Sequence, residues 1–294
     1  EHLGCRAANS GVVIFAGDNG ISRENISTYE PLSSNNIVRQ HLEGISPTSI
    51  FLDKIGKPEL MVDVGLYSPL EDPGLGQFNV KRGTNNFLLG DALEKNEVLQ
   101  AIETGRCIWN EIYDQRFDII GVGEIGVGDT LCATGIATVI TGVASKSLVA
   151  QGSSAHKVKE KKNDIISRAL ITRCPDHSNI VDVLMRFGGL EIAALTGFIM
   201  EAASRRIPVM LDGYVTMVAA LLAVQSDGSV IDWLIASNQT NDRGFLFILE
   251  KLGLEPIFHW DVSYGEGIAS ALGLFLAETS AEFWTQIKIL RENG

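Results

Sequence analysis

The 294-residue sequence has little cysteine and no long apolar run. Its four cysteines lie far apart, at Cys5, Cys107, Cys132 and Cys174. They form no Cys-x-x-Cys pair, which excludes a zinc ribbon or a disulfide framework as the basis of the fold. The longest uncharged runs, residues 130–145 and 213–226, are shorter than the ~18 apolar residues of a membrane span. The first residues carry no basic segment followed by an apolar one, so no secretory signal is predicted.

Basic side chains are also few, with 24 Lys and Arg against 36 Asp and Glu, for a net charge of −12. Such a surface repels nucleic acid and anionic membranes, so neither is expected as a partner. Hydrophobic residues make up 45% of the chain, which is enough apolar surface to exclude disorder. At this length the chain forms one large domain or two small ones. We therefore expect a globular, cytoplasmic protein.

The histidines show no pattern of a reactive site. No pair among the five has metal-ligand spacing; they are His2, His41, His156, His177 and His259. A lone histidine is usually a surface residue or a satisfied core residue, so no metal site is predicted. The sequence also lacks a Gly-x-Ser-x-Gly motif, which disfavours a hydrolase.

Short apolar segments that end in glycine or an acid predict buried strands, at residues 11–17, 60–65, 117–121, 147–150, 207–211 and 255–258. Continuous rather than alternating apolar residues are typical of strands covered on both faces. The segments between them predict helices at residues 37–43, 94–113, 130–143, 164–170, 190–204 and 215–224. This alternation predicts an α/β protein with a mostly parallel sheet flanked by helices, and no sharp domain boundary is visible.

Gly121, Gly123 and Gly126 have the Gly-x-Gly-x-x-Gly spacing of a dinucleotide-binding loop between a strand and a helix. A nicotinamide-cofactor site also needs an acid about 20 residues further on, and residues 144–150 contain none. Glu124 within the loop would repel a pyrophosphate. An NAD-dependent oxidoreductase is therefore the least favoured interpretation, and the others are a tight turn and a loop that holds a substrate with this carboxylate aimed into the site.

Two further glycine clusters precede helical segments. Gly188 and Gly189 open one helix, and Gly265 and Gly267 flank Glu266 at the start of another. Glycine on both sides of the glutamate lets a ligand approach its carboxylate closely. A glutamate at a helix start is also a common capping residue, so catalysis and capping both remain open.

Nine segments, in order from about Val12 to Ala277, resemble the nicotinate-nucleotide–dimethylbenzimidazole phosphoribosyltransferase family, which builds the lower-ligand nucleotide of cobamides. They are residues 16–20 (AGDNG), 62–65 (VDVG), 82–87 (RGTNNF), 121–130 (GVGEIGVGDT), 188–193 (GGLEIA), 208–213 (PVMLDG), 237–238 (SN), 252–256 (LGLEP) and 264–267 (YGEG). The resemblance implies a single Rossmann-like domain over residues 1–294. It also implies a small helical part from the N-terminus and about residues 268–294, and a dimer.

The resemblance implies transfer of phosphoribosyl from nicotinate mononucleotide to a nitrogen of the benzimidazole, with release of nicotinate and no cofactor. Glu266 then matches the general base, and Glu124 matches a second carboxylate near the aromatic base. Nicotinate leaves a cationic N-glycosidic bond as a neutral pyridine, so the leaving group needs no acid. A carboxylate must take the N–H proton of the acceptor, and a second one stabilises charge on the ribose.

The resemblance also assigns residues to two subsites. Those for phosphoribosyl and nicotinate are Gly126, Gly128, Gly152, Lys162, Gly188, Gly189, Asp212, Ser237 and Gly265; those of the acceptor pocket are Asp18, Tyr29, Ile37 and Ile125. Lys162 matches a lysine near the phosphate, whereas Lys157, Lys159 and Lys161 fit a solvated helix face equally well. Asp212 either binds a ribose hydroxyl or belongs to a simple strand-end turn.

Several positions depart from the family pattern. Asn19, Asp129 and Asn238 stand where His, Asn and His are usual, and Ser263-Tyr264 replaces Arg-Leu. A larger, less polar acceptor pocket suits a smaller base or a phenol, as in a phenol-accepting branch built from two related subunits. The altered motifs equally fit a catalytically weak paralogue that pairs with an active relative.

Only ten residues precede Gly11, where the family has further helices. We therefore expect the small helical part to be incomplete or supplied by a partner, in a homodimer or in a heterodimer with a related subunit.

Overall fold

The computed structural model describes residues 6–112, 116–149 and 156–292. Its six strands form one sheet in the order β3-β2-β1-β4-β5-β6, and all neighbours are parallel. The strands are β1 (Ser10–Gly17), β2 (Glu59–Gly65), β3 (Leu75–Gln77), β4 (Ile119–Ile125), β5 (Val209–Leu211) and β6 (Leu234–Ala236). This is the Rossmann strand order, so the predicted parallel α/β fold is confirmed. The order reverses between β1 and β4, which creates a crevice at their carboxyl ends.

Eleven α-helices accompany the sheet in the described part of the chain. They are α1 (Ser34–Leu42), α2 (Pro47–Ile55), α3 (Lys95–Glu111), α4 (Asp129–Thr141), α5 (Ser145–Leu148), α6 (His156–Arg173), α7 (Ile180–Phe187), α8 (Leu190–Ser204), α9 (Tyr214–Ser226), α10 (Arg243–Leu252) and α11 (Ile268–Glu292). None of these described helices is long and apolar enough to cross a membrane.

Helices cover both faces of the sheet, which explains why the strand segments are apolar throughout. In β1, Val13 and Phe15 face the larger core, which is closed by α3, α4, α8 and α9. Val12 and Ile14 alternate onto the opposite face, where they share a smaller core with Leu274 of α11. Because a strand alternates its side chains, a buried parallel strand must be apolar at every position.

Helices α3 and α8 approach each other at two glycines. A Cβ atom at Gly105 would lie 1.8 Å from the carbonyl oxygen of Ala194, and one at Gly197 would lie 1.9 Å from that of Ile102. Beside this contact, Trp109 stacks on Phe198 at a centroid distance of 4.6 Å. The small residues therefore allow the backbones to meet, and the aromatic pair fills the space next to them.

Two predicted strands are wrong. Residues 147–150 were expected to be extended, but α5 (Ser145–Leu148) is helical, and Ala150 lies outside the described residues. Three apolar residues are too few for periodicity to distinguish a strand from a helix. Residues 255–258 form only an isolated bridge from Phe258 to Asn238. Pro256 has no N–H to donate to a strand ladder.

Two short strands at the sheet edges and three helices carry too weak a pattern to be predicted from the sequence. The strands are β3 and β6, and the helices are α2, α7 and α10. The predicted helical segment at about 268–294 corresponds to α11, which positions the candidate site.

Candidate active site

A cavity of about 420 Å³ lies at the carboxyl ends of the central strands. The segment after β4, helix α6, the loop after β5 and the loop before α11 all contribute to its wall. Ten of the site residues suggested by the sequence line it: Tyr29, Ile37, Glu124, Ile125, Gly126, Gly128, Lys162, Asp212, Gly265 and Glu266. The structure thus gathers residues that are up to 237 positions apart, from Tyr29 to Glu266, around one space.

Four of the suggested residues do not line the cavity. The Asp18 carboxylate accepts the backbone N–H groups of Ser34 (3.1 Å) and Tyr67 (2.9 Å), so it holds the start of α1 next to the loop after β2. The Ser237 hydroxyl donates to the carbonyl of Leu211 at 2.6 Å. The other two are Gly188 and Gly189, which precede α8 behind the cavity. Gly152 lies outside the described residues.

Glu266 is held on a strained loop at the cavity wall. Gly265, Glu266 and Gly267 have φ values of 81°, 57° and 84°, and a left-handed conformation is unusual for a glutamate. The hydroxyl of Thr48 donates to the Glu266 carbonyl at 2.9 Å. Such a conformation persists only where the surroundings fix it, as they do here.

Asp212 fixes the other side of this loop. One carboxylate oxygen accepts the N–H of Gly267 at 3.1 Å, and the other accepts those of Ala269 (2.7 Å) and Ser270 (3.1 Å). Asp212 therefore caps the start of α11 from the end of β5. Burial raises its pKa to about 6, against the effect of these hydrogen bonds. The geometry explains the strand-end acid without a ribose, and the suggested ribose contact stays a prediction.

The glycine-rich segment differs from the loop that its spacing suggested. Gly121 and Gly123 belong to strand β4, and the chain leaves the strand only after Ile125. A Cβ atom at Gly123 would lie 2.7 Å from the Cα of Gly267. Gly123 therefore lets the Glu266 loop lie directly on the sheet, whereas Gly121 makes room for side chains of α11.

Glu124 ends up buried beside this loop. Its Oε2 atom has no hydrogen-bond partner within the described part of the chain. Burial, reinforced by Asp129 and Asp212, raises the pKa of Glu124 well above its usual range. The protonated form is therefore favoured, so Glu124 presents a carboxylic acid rather than a second negative charge to the cavity.

A cation and an acid, Lys162 and Asp129, also line the cavity. Burial lowers the pKa of the Lys162 ammonium, while Asp129 and Asp242 oppose this effect. Asp129 starts α4 directly after Gly128, and burial raises its pKa to about 7 although Thr130 and Lys162 lower it. The cavity lining therefore combines the N-terminus of α4 with the buried Lys162, and both suit an anion.

Two tyrosines line the cavity together with Glu266. Tyr29 and Tyr264 are half-exposed. Burial and the neighbouring Glu266 and Tyr29 raise the pKa of Tyr264, which hydrogen-bonds to Glu266. The apolar part of the lining includes Ile26, Ile37, Ile125 and Val127. Apolar and aromatic side chains that share a cavity with a carboxylate suit an aromatic molecule.

His41 was missed by the sequence analysis. It is buried on α1, and its Nε2 atom lies 3.0 Å from Oε2 of Glu266. Its Nδ1 atom lies 2.6 Å from Oε1 of Glu59. Burial lowers the pKa of His41, but the two carboxylates outweigh it and raise the pKa to about 9. No cluster of three or more metal-ligating side chains suited to a metal ion occurs in residues 6–112, 116–149 and 156–292.

Known proteins are similar to this chain over most of its length. A family model described as phosphoribosyltransferase matches residues 2–294. The nicotinate-nucleotide–dimethylbenzimidazole phosphoribosyltransferase of Acetivibrio thermocellus is 30% identical over 93% of this chain and 78% of that protein. The enzyme of the same name from Halalkalibacterium halodurans is 31% identical over 96% of this chain and 80% of that protein.

The crystal structure of CobT from Thermus thermophilus superposes with a TM-score of 0.87 at 27% identity. The match covers 92% of this chain and 82% of that one. Sequence and fold therefore point to the same group of proteins.

Proposed function

This chain belongs to the nicotinate-nucleotide–dimethylbenzimidazole phosphoribosyltransferase family and is a phosphoribosyltransferase, and from this premise we propose its substrates. We propose that it transfers phosphoribosyl from nicotinate mononucleotide to an aromatic lower-ligand base, for cobamide biosynthesis. The observation that carries the proposal is the single cavity whose lining combines Glu266, Lys162 and a group of apolar side chains.

In the proposed reaction, a nitrogen of the acceptor attacks C1′ of the ribose from the face opposite nicotinate. The bond from C1′ to the nicotinate nitrogen breaks, and its electron pair returns to the pyridine ring. The acceptor then carries a positive charge, and its N–H proton passes to the Glu266 carboxylate. The products are an α-riboside phosphate and nicotinate.

The polar part of the cavity lining suits the 5′-phosphate. Lys162 supplies a buried positive charge, and the segment from Gly126 to Gly128 leads into the N-terminus of α4. The dipole of α4 favours an anion at this point, although the N–H groups of Asp129 and Leu131 already donate to the carbonyls of Gly126 and Gly128. These contacts supply locally what an acidic protein lacks overall.

The apolar and aromatic part of the cavity lining suits an aromatic acceptor, which is either of the benzimidazole type or phenolic. Ile37 and Ile125 face the space beside Glu266, and Tyr29 and Tyr264 border it. A phenol would give its O–H proton to the same carboxylate. A protonated Glu124 would donate a hydrogen bond to a ribose oxygen.

A second candidate is a catalytically weak subunit that pairs with an active relative. Asp129 favours it, because this acid attracts Lys162 and so competes with a phosphate. We also propose that the protein is cytoplasmic and acts as a dimer, either with itself or with a related subunit.

The test is release of nicotinate from nicotinate mononucleotide by the purified chain, with dimethylbenzimidazole, adenine and p-cresol as separate acceptors. We expect turnover with at least one of them. Glu266→Gln should lower turnover by ~10²–10⁴-fold, because the proton acceptor is lost, and should leave nucleotide binding intact in calorimetry. The matched control is Glu255→Gln at an exposed position away from the cavity.

The possible outcomes separate the two candidates. Nucleotide binding without turnover by the unaltered chain supports the weak-subunit candidate. Absence of both binding and turnover contradicts both. Unchanged turnover in Glu266→Gln refutes the role of Glu266 as the base.

A further inference from the structure

A buried histidine bridges the candidate base and a second glutamate that lies outside the cavity. We propose that His41 is a positioning residue: held by Glu59, its imidazolium keeps the Glu266 carboxylate ionised and fixed at the cavity wall. This inference rests on the proposed role of Glu266 as the base. Neither the spacing of the histidines nor the family resemblance assigns a role to His41.

The geometry, with a carboxyl group at each ring nitrogen, fits a charged ring. Nε2 of His41 contacts Glu266 at 3.0 Å, and Nδ1 contacts Glu59 at 2.6 Å. A neutral imidazole has one N–H group, so it can donate to only one carboxylate, whereas an imidazolium donates to both. Charge-assisted hydrogen bonds of this kind are short and strong. The His41 side chain is fully shielded from solvent, so water does not compete for either contact.

Helix α2 holds both ends of this bridge. The Ser49 hydroxyl donates to Oε2 of Glu59 at 2.6 Å, which orients that carboxylate toward the ring. One residue earlier, the Thr48 hydroxyl donates to the Glu266 carbonyl at 2.9 Å. The distance between Glu59 and the Glu266 loop is therefore set by one rigid element.

The charges around Glu266 explain why it needs this partner. Glu124, Asp129 and Asp212 all lie within electrostatic reach of Glu266, whose negative charge raises their pKa values. A protonated Glu266 cannot accept a proton from the acceptor. An imidazolium in direct contact opposes this repulsion, and Glu59 in turn balances the charge of the imidazolium.

Few charged groups compete for the ring. The groups that act on His41 are Glu59, from β2, and Glu266, from the loop before α11. Helix α2 adds only the uncharged Ser49 hydroxyl, which contacts the His41 carbonyl. On α1 itself Arg39 is charged, but it is exposed. The state of His41 is therefore governed by the two carboxylates.

The first experiment follows the charge states directly by NMR, and so does not depend on turnover. In the unaltered protein we expect the His41 ring to remain protonated to about pH 9. In Glu266→Gln and in Glu59→Gln it should lose its proton at least one pH unit lower. In His41→Gln we expect the carboxyl ¹³C signal of Glu266 to report proton uptake at least one pH unit higher. His259→Gln, at an exposed position, is the matched control.

The second experiment is the pH dependence of kcat for nicotinate release. The acidic limb should move to higher pH in His41→Gln, while KM for nicotinate mononucleotide changes by less than about threefold. A merely structural loss would lower the whole profile without moving this limb. If His41→Gln does not fold, Glu59→Gln serves instead and should move the limb in the same direction by less.

A His41 ring that titrates near the ordinary histidine value, or equally in Glu266→Gln, overturns the proposal. So does an acidic limb that stays in place in both variants. Absence of turnover in the unaltered chain counts against the proposed function alone, because the NMR titrations still decide whether His41 keeps Glu266 ionised.

Discussion

Glu191 is a buried acid in the first turn of α8. Its Oε1 atom accepts a hydrogen bond from the Asn19 side chain at 2.7 Å. Glycines surround the carboxyl group: Cβ atoms at Gly17, Gly126 and Gly189 would lie between 2.2 and 3.1 Å from its oxygens. Burial raises the pKa of Glu191 to about 8, although the Asn19 hydrogen bond opposes this effect. The group is therefore largely protonated at neutral pH and fills a space formed by glycines.

Replacing this acid by its amide should change how stability depends on pH. The unfolded chain releases the Glu191 proton near pH 4.5 and the folded chain near pH 8, so stability falls as pH rises through this window. Glu191→Gln has no proton to lose. We expect its stability relative to the unaltered protein to rise between these values, by up to about 5 kcal/mol. Urea unfolding at several pH values measures this difference.

The control for this experiment is Glu250→Gln, at an exposed position on α10. Its stability difference from the unaltered protein should stay constant with pH. A constant difference in Glu191→Gln as well would show that the buried carboxyl group carries no proton, and would contradict the prediction.

The site residues differ in how far the sequence could identify them. Glu266 and Glu124 stand in glycine-rich segments, so their local sequence already marks them as unusual. His41 has no such mark, because its partners Glu59 and Glu266 are 18 and 225 positions away. Only the fold brings these three side chains together, and a lone histidine on a helix gives no sign of it.

At the scale of elements, the glycines of β4 show why spacing alone was misleading. Gly121 and Gly123 match a phosphate-binding loop in number and distance, yet both lie inside the strand. What Gly123 has in common with such a loop is the absence of a side chain where another backbone comes close. Here that backbone is the loop of Gly267, which a sequence cannot identify as the neighbour.

The accuracy of the predicted elements follows their length and burial. The long helix α8 was predicted at its observed bounds, Leu190–Ser204, and β1 within one residue. By contrast, β3 (Leu75–Gln77) and β6 (Leu234–Ala236) are three residues long and depend on pairing with a neighbour. Their extended conformation is set by tertiary contacts, which local sequence does not encode.

The close contact of α3 and α8 leads to a prediction about a single glycine. In an open helix Gly→Ala stabilises by about 1 kcal/mol. At Gly105 the new methyl group would lie 1.8 Å from the carbonyl oxygen of Ala194, so the helices must separate. We expect Gly105→Ala to lower the free energy of unfolding by roughly 2–4 kcal/mol, measured by thermal or urea denaturation.

Gly228→Ala is the matched control, because nothing lies within 4 Å of its Cβ position and its φ is not positive. Its stability should change by less than about 1 kcal/mol. Equal effects of the two substitutions would mean that the tight contact between α3 and α8 does not determine the response.

At the scale of the whole molecule, a large apolar surface lies on helices α2 and α11. Its side chains are between 45% and 65% exposed; they are Ile50, Phe275, Phe283, Trp284 and Ile287. The ring of Phe275 packs edge-on against Phe51 of α2 at 6.3 Å, so the two helices form one continuous face. Monomeric soluble proteins rarely expose large apolar side chains in such a group. This surface supports the proposal of a dimer.

The dimer proposal predicts a molecular mass near twice 31.8 kDa in light scattering coupled to gel filtration. Replacing both Phe283 and Trp284 by Ser removes the two most exposed side chains of this face and should yield the mass of one chain. Ile171→Ser, at a 78% exposed position on α6, is the control and should leave the mass unchanged. Because removal of buried apolar area weakens association, the double variant should dissociate at concentrations where the unaltered protein does not. A single-chain mass for the unaltered protein at tens of micromolar would contradict the homodimer, and an unchanged mass in the double variant would move the interface elsewhere.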